Sequence, residues 1–310
     1  MSDLLDQAIV VTAIAGGIRL AVPLLLAGLG ETFGQRSGVL NLGVDGIMLL
    51  GAFAGYYTVL QIGNVWLGLA VGLVVGAVLG LATAFISVTL GAEQGISGIG
   101  VYLFGLGLSD LLFQKLVGTP RPIDSFPRVP IPGLSSIPVV GEMFFRHSLV
   151  VYLAFLLVPA SIFVINRTTF GMNIRAVGEN PEAADSVGVS VARVRYATVL
   201  IGGVLAGMAG AALAIDLGIF QQNLTNAQGF IAVALVYFGA WRPLGVMGGA
   251  LLYGLVNSVV LQLKTLGIIP RSWSDIAAMA PAVITILALV LVARRFRQPA
   301  ALAKPFLREA

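Results

Sequence analysis

The stretch "GIMLLGAFAGYYTVLQIGNVWLGLAVGLVVGAVLGLATAFISVTLGA", residues 46–92, decides the fold because it contains no charged side chain. A polar turn at residues 61–66 divides it into two apolar runs, each long enough to cross about 30 Å of hydrocarbon. The runs are continuous and do not alternate with period two, which argues against a transmembrane barrel. The stretch therefore predicts a polytopic bundle of membrane-spanning α-helices.

The whole chain has the composition of a membrane protein. Of its 310 residues, 58% are hydrophobic and 10% are charged, and the mean hydropathy is +0.97. We expect one all-α transmembrane domain over residues 1–310, with about 8–10 spans of this bundle type. Residues 230–240 are too short to span alone and are expected to be tilted, re-entrant or continuous with their neighbours. The expected spans are residues 8–30, 39–60, 65–90, 96–117, 148–166, 194–217, 230–240, 244–263 and 276–293.

Glycine is frequent, with 39 residues, and four glycines of the third span are regularly spaced. Gly68, Gly72, Gly76 and Gly80 recur every fourth residue, so they lie on one helix face. Small residues let helices approach closely in a membrane, where no hydrophobic effect drives them together. We predict a packing face here in preference to a ligand site.

Several kinds of chemistry are missing from the sequence. The chain has no cysteine, which excludes thiolate chemistry and disulfides. It lacks the G-x-x-x-x-G-K-[ST] loop, so we expect it not to hydrolyse ATP itself. Its single histidine, His147, excludes a metal cluster or triad built from histidines within the membrane. A membrane-embedded enzyme therefore has almost no support from the residues.

The basic residues indicate the orientation. The pI of 9.6 comes from loops and the tail, which favours positive-inside charge over a nucleic-acid partner. With the carboxyl terminus cytoplasmic, eleven basic residues lie inside and six outside, and the amino terminus is external. The first residues, "MSDLLDQ", lack a basic segment, so we expect no cleaved signal peptide. The expected cytoplasmic set is Arg36, Arg167, Arg175, Arg193, Arg195, Arg242, Arg294, Arg295, Arg297, Lys304 and Arg308.

Two segments between spans are distinctive. Residues 118–147 are rich in proline and predict an ordered external cap without regular helix. "GMNIRAVGENPEAADSVGV", residues 171–189, is polar although apolar runs flank it. Within it, Asn180 is a helix cap, Pro181 the first helical residue and Gly188 the terminator of about two turns. So short a polar helix requires a surface to dock against, and a solvated loop is the alternative.

This polar segment resembles the cytoplasmic coupling segment of permease subunits in ATP-binding-cassette (ABC) importers of ribose-like sugars, nucleosides and branched-chain amino acids. "GQRSGVLNLGVDGIMLLGAF", residues 34–53, resembles a signature of the simple-sugar and nucleoside branch, and the similarity covers nearly the whole chain. The resemblance implies that the short helix sits in a cleft of an ATPase subunit and transmits nucleotide-driven closure to the membrane helices. The implied contact residues are Gly171, Asn173, Arg175, Gly178, Asn180, Pro181, Glu182, Ala183, Ala184 and Gly188.

The resemblance also implies partners and a location. ATP and Mg²⁺ would be bound by the ATPase subunits, so no cofactor is expected in this chain. A second, longer permease would complete a heterodimer, and an extracytoplasmic substrate-binding protein would dock on the external loops. The expected surroundings are the lipid of the cell inner membrane.

Polar residues within the spans are candidates for the substrate pathway. Asn41 and Asp45 are four residues apart, which places them on one helix face where they could line a polar cavity. Asn257, Ser258 and Gln262 offer amides and a hydroxyl on another span to a polyol such as ribose or a nucleoside. Interhelical bonds are an equal alternative, such as a salt bridge from Arg19 to Glu31 or Asp45.

Two alternatives to the importer of nucleosides remain open. The permease could carry sugars or branched-chain amino acids. A self-sufficient secondary transporter or channel would use a carboxylate in mid-membrane, for which Asp45, Asp110 and Asp216 are candidates.

Overall fold

The computed structural model describes residues 7–293 and 297–306, and it confirms the helical bundle. Two short strands, β1 (Arg128–Pro130) and β2 (Arg146–Ser148), form an antiparallel ribbon. A π-helical turn (Phe85–Thr89) continues the third helix, and a 3₁₀ turn (Arg271–Trp273) precedes the last. The helices are α1 (Gln7–Arg36), α2 (Val44–Ile62), α3 (Val65–Ala84), α4 (Gln94–Leu116), α5 (Val140–Phe144), α6 (Leu149–Arg167), α7 (Thr169–Glu179), α8 (Pro181–Ser186), α9 (Val191–Leu217), α10 (Gln228–Phe238), α11 (Pro243–Thr265) and α12 (Ser274–Ala293).

Each of the expected spans corresponds to a helix, but not every one of these helices has the length and hydropathy of a membrane span. In the described residues, six helices do: α1, α3 with its π-helical turn, α4, α6, α9 and α11. Helix α2 has 19 residues but is not among the six. Helix α10 has only 11 residues, as expected for a segment too short to span alone. The protein is thus a polytopic bundle, and six of the helices in its described residues meet the length and hydropathy of a membrane span on their own.

The centre of the bundle is α9, which packs against α1, α2 and α3. The four regularly spaced glycines of α3 are all buried. A Cβ atom on Gly76 would lie 2.3 Å from the carbonyl oxygen of Gly203, and one on Gly207 would lie 2.3 Å from that of Gly72. A side chain at either position would clash with the backbone of the facing helix, which confirms the predicted packing face.

The proline-rich residues 118–148 form a cap over one end of the bundle. The ribbon β1–β2 and the single turn α5 give the cap its order, so the expectation of no regular helix is wrong at α5. Tyr56 fastens the cap to α2, because its hydroxyl donates to the carbonyl of Arg121 at 2.9 Å and accepts from the amide of Arg121 at 3.2 Å. We call this the cap end.

The other end, which we call the α7–α8 end, gathers segments that are distant in the sequence. Nε of Arg36, the last residue of α1, donates to the carbonyl of Trp241 at 2.8 Å. The amide of Ala301 donates to the carbonyl of Gly178 at 2.9 Å, so the C-terminal residues 297–306 lie against α7. Of the expected cytoplasmic cations, Arg294, Arg295 and Arg308 lie outside the described residues, as does most of "MSDLLDQ".

Candidate coupling site

The short helix α8 forms as the sequence predicts. The Oδ1 atom of Asn180 accepts a hydrogen bond from the amide of Ala183 at 3.0 Å, and Pro181 is the first helical residue. Gly188 follows the helix with a φ of +90°, a conformation that favours glycine. The predicted cap, start and terminator are therefore confirmed.

Helix α7, which precedes α8, is an element that the sequence analysis did not separate. Its start is capped by Thr168, whose Oγ1 accepts from the amide of Gly171 at 3.1 Å. Its inner face packs into a cluster of buried apolar side chains that α1, α6 and α9 supply. The signal in the sequence is helical spacing, because Phe170, Ile174 and Val177 recur at intervals of four and three residues.

Three of the predicted contact residues face inward. A Cβ atom on Gly171 would lie 2.2 Å from the carbonyl oxygen of Val164, and one on Gly178 would lie 2.0 Å from that of Arg36. Ala184 is 4% exposed and belongs to the same apolar cluster. Each of the three is covered by the chain's own helices, and partner contact by Gly171, Gly178 and Ala184 stays a prediction.

The outward side of the two helices forms a mixed polar and apolar surface. Two large apolar side chains that the sequence analysis missed are exposed, Met172 at 56% and Val187 at 79%. Exposed polar residues surround them, including Arg175 and Glu182, while Asn173 and Pro181 are half-buried. We call this the coupling surface; its exposed residues are Met172, Arg175, Ala176, Glu179, Asn180, Glu182, Ala183, Ser186, Val187 and Gly188. Partner contact by these residues remains a prediction.

The coupling surface is fastened to the bundle at several points. Gly178 lies between the end of α1 and the C-terminal segment, and Thr168 joins α7 to α6. Arg195 of α9 is fully buried, with Nε donating to the carbonyl of Ser37 at 3.3 Å and Nη1 to that of Lys304 at 3.1 Å. Arg195, which the sequence analysis counted among the cytoplasmic cations, therefore links α9 to the C-terminal segment.

The premise for Asn41 and Asp45 is also wrong, because Asn41 lies in the turn before α2 and does not share a helix face with Asp45. The side chain of Asn41 accepts from the amide of Gly43 at 2.9 Å. Asp45 is fully buried and accepts from Thr225 Oγ1 at 3.0 Å and from the amide of Gly229 at 2.7 Å. Both side chains therefore bond within the protein, and their role in a substrate pathway stays a prediction.

The other predicted pathway residues lie on α11 and at a different depth. Ser258 is buried against α1, where a Cβ atom on Gly16 would lie 2.6 Å from its Oγ. Asn257 and Gln262 are half-buried, and Gln262 borders an opening beside Ile9 at the cap end. The backbone amide of Asn41 bonds to Glu31, which is about 33 Å from Ile9 along α1. The structure does not bring the two sets together.

Arg19 has a different partner from those considered. Its Nη2 atom lies 3.0 Å from Oδ2 of Asp216, an ion pair that joins α1 to α9. Glu31 instead accepts hydrogen bonds from Gln35 and from the amide of Asn41. The suggested salt bridges from Arg19 to Glu31 or Asp45 are therefore wrong.

Residues 13–292 match the model of a protein family described as branched-chain amino acid transport system, permease component. The chain belongs to this permease family. The resemblance seen in the sequence is thereby confirmed, and the protein is a multi-pass membrane permease. No solved structure matches it significantly.

Curated relatives of this permease cover most of its length. A putative glucose ABC transporter permease, TsgC13 of Haloferax volcanii, is 43% identical over 256 residues, which is 81% of this chain and 77% of that protein. The guanosine ABC transporter permease NupQ of Bacillus subtilis is 36% identical over 301 residues, 93% of this chain and 94% of that protein. A second guanosine ABC transporter permease of the same organism, NupP, is 27% identical over 270 residues, 84% and 76% respectively.

Proposed function

We propose that this permease is the membrane subunit of an ATP-driven ABC importer that carries a nucleoside or a related simple sugar into the cell by alternating access. The relatives named for guanosine and glucose support this substrate class, since both compounds contain a sugar ring. A branched-chain amino acid, which the family description names, is the alternative substrate.

The observation that carries the proposal is the two-sided construction of α7 and α8. Their inner side is fastened to α1, α6, α9 and the C-terminal segment, and their outer side exposes Met172 and Val187 among charged residues. A partner that grips the outer side can move membrane helices only if the joint is rigid. The close contacts of Gly171 and Gly178 supply that rigidity.

The proposed orientation places the α7–α8 end in the cytoplasm and the cap outside. Arg175 and Arg242 lie within electrostatic range of Arg36 at the α7–α8 end, as positive-inside charge requires. An ATPase subunit that binds ATP and Mg²⁺ would dock there, and a substrate-binding protein would dock on the cap. The two B. subtilis guanosine permeases that align with this chain support a heterodimer with a second permease.

The test reconstitutes the chain with its ATPase, second permease and binding protein in proteoliposomes and measures uptake of radiolabelled guanosine. We expect uptake that requires ATP. Val187→Asp replaces the more exposed of the two large apolar side chains of the coupling surface with a charge, and should lower both ATPase co-purification and uptake at least about tenfold. Val129→Asp makes the same change at an exposed position of the cap and should leave ATPase co-purification unchanged.

Two results would contradict the proposal. One is that the ATPase co-purifies with the Val187→Asp variant in the same amount as with the wild type. The other is rapid, gradient-driven flux through the purified chain without any ATPase, which would favour a secondary transporter or channel.

A further inference from the structure

The cap end contains a cavity of about 430 Å³ between α1, the end of α9 and the cap. Its size is that of pockets that bind small organic molecules, which range from about 300 to about 1,000 Å³. The residues that matter for its chemistry are Arg19, Phe126, Arg128, Glu142, His147 and Asp216. None of these was among the pathway residues predicted from the sequence.

The ion pair of Arg19 and Asp216 forms one wall of the cavity. The pair is joined by one nitrogen and one oxygen, 3.0 Å apart, and the side chains keep 38% and 30% of their surfaces exposed. A guanidinium carries five donors and a carboxylate accepts on two oxygens, so a single bond leaves capacity on both groups. The pair can therefore bind a ligand without being broken.

The charges around the cavity nearly cancel. Glu142 is paired with Arg146 at 3.0 Å, and Arg19 with Asp216, while Arg128 adds one positive charge. Burial lowers the pKa of His147, so its imidazole is neutral at pH 7. Among the described lining residues, the cavity thus offers a cation no unpaired carboxylate and an anion only Arg128, whereas a neutral compound with several hydroxyl groups would find both donors and acceptors.

We propose that this cavity binds the sugar ring of the imported compound on its way from the binding protein, which rests on the proposed function. Asp216 accepts a hydrogen bond from one hydroxyl, and Arg19 donates to the oxygen of the adjacent hydroxyl. Two neighbouring hydroxyls of a sugar match a carboxylate beside a guanidinium, so the site selects a vicinal diol. Phe126 supplies an apolar wall, and its ring lies 5.4 Å from that of Trp66.

The test uses the purified full-length chain in detergent and saturation-transfer difference NMR, which detects weak binding. Ribose, used as its methyl β-D-ribofuranoside so that the ring stays a furanose, should give a saturable signal. The corresponding methyl 2-deoxy-β-D-ribofuranoside, which has no vicinal diol, should bind at least about tenfold more weakly. Asp216→Asn and Arg19→Lys should each weaken ribose binding by at least about tenfold. Arg19→Lys retains the ion pair but loses the forked donors, so it keeps the test valid if Asp216→Asn fails to fold.

The matched control is Asp124→Asn, an exposed carboxylate of the cap that does not line the cavity. It should bind ribose like the wild type. The proposal is overturned if Arg19→Lys binds ribose with wild-type affinity, if both sugars bind equally, or if neither binds. None of these results bears on the proposed function, because that function is tested independently by ATP-dependent guanosine uptake in proteoliposomes.

Discussion

His147, the only histidine, is held at the base of the cap by two hydrogen bonds. Its Nε2 atom donates to the carbonyl of Met143 at 2.8 Å, and its amide donates to the hydroxyl of Tyr152 at 3.0 Å. The side chain is 3% exposed, and burial lowers the pKa of its imidazole, with Arg19 and Arg128 adding to the effect. The folded protein therefore holds this ring in its neutral form near pH 7.

This environment predicts a loss of stability in acid. The usual pKa of histidine is 6.5, so below that pH the unfolded chain binds a proton that the folded chain resists. The melting temperature in detergent should fall by a few degrees between about pH 8 and about pH 5. His147→Gln keeps a donor for Met143 but cannot titrate, so its curve should be flatter. Parallel curves for the two proteins would show that His147 does not cause the loss.

At this scale the sequence predicts local bonds but not distant partners. The cap of α8 was predictable because Asn180 and Ala183 are three residues apart. Asp216 as the partner of Arg19 was not, because the pair depends on how α1 and α9 pack over a separation of 197 residues. Asp45 and Thr225, 180 residues apart, show the same limit.

At the scale of elements, α8 offers two adjacent alanines with opposite surroundings. Ala183 is exposed on the coupling surface, whereas Ala184 is buried in the apolar cluster beneath it. Ala184→Leu should destabilise the protein by about 1–3 kcal/mol, because the cluster has to open for the larger side chain. Ala183→Leu should change stability by less than about 0.5 kcal/mol but lower the affinity for the ATPase at least about tenfold.

The two variants are controls for each other. Thermal unfolding in detergent measures stability, and titration of the reconstituted permease with its ATPase measures affinity. Equal loss of stability in both variants would mean that α8 is not docked as described. If Ala183→Leu binds the ATPase with wild-type affinity, Ala183 does not contact the ATPase.

Helix type and position followed from the sequence more readily than helix burial. The glycines of α3 predicted a packing face because their spacing is a property of one helix. That this face meets Gly203 and Gly207 of α9 depends on the fold. Gly171 and Gly178 were placed on the partner surface for the same reason, since a polar segment does not reveal which of its faces is covered.

At the scale of the whole molecule, the C-terminal segment 297–306 connects parts of the α7–α8 end that lie far apart in the sequence. Its backbone bonds to Gly178 of α7 and, through the amide of Ala303, to Gly38 in the turn after α1. Phe306 packs against the apolar cluster under the coupling surface. A displacement of α7 is thus shared with α1 and α9.

Arg195 is the side chain that holds this connection, so its loss should weaken coupling more than folding. Arg195→Met removes the bonds to the carbonyls of Ser37 and Lys304 and should cost about 1–3 kcal/mol. In proteoliposomes we expect ATP hydrolysis to continue while guanosine uptake per ATP falls, because a movement of α7 driven by the ATPase is transmitted less directly to α9.

The matched control is Arg193→Met, which changes an exposed arginine one half-turn earlier in α9. It should keep the wild-type ratio of guanosine uptake to ATP hydrolysis. If Arg195→Met transports with the wild-type ratio of uptake to hydrolysis, the C-terminal segment contributes to stability alone, and the movement of α7 is transmitted through Gly178 and α1.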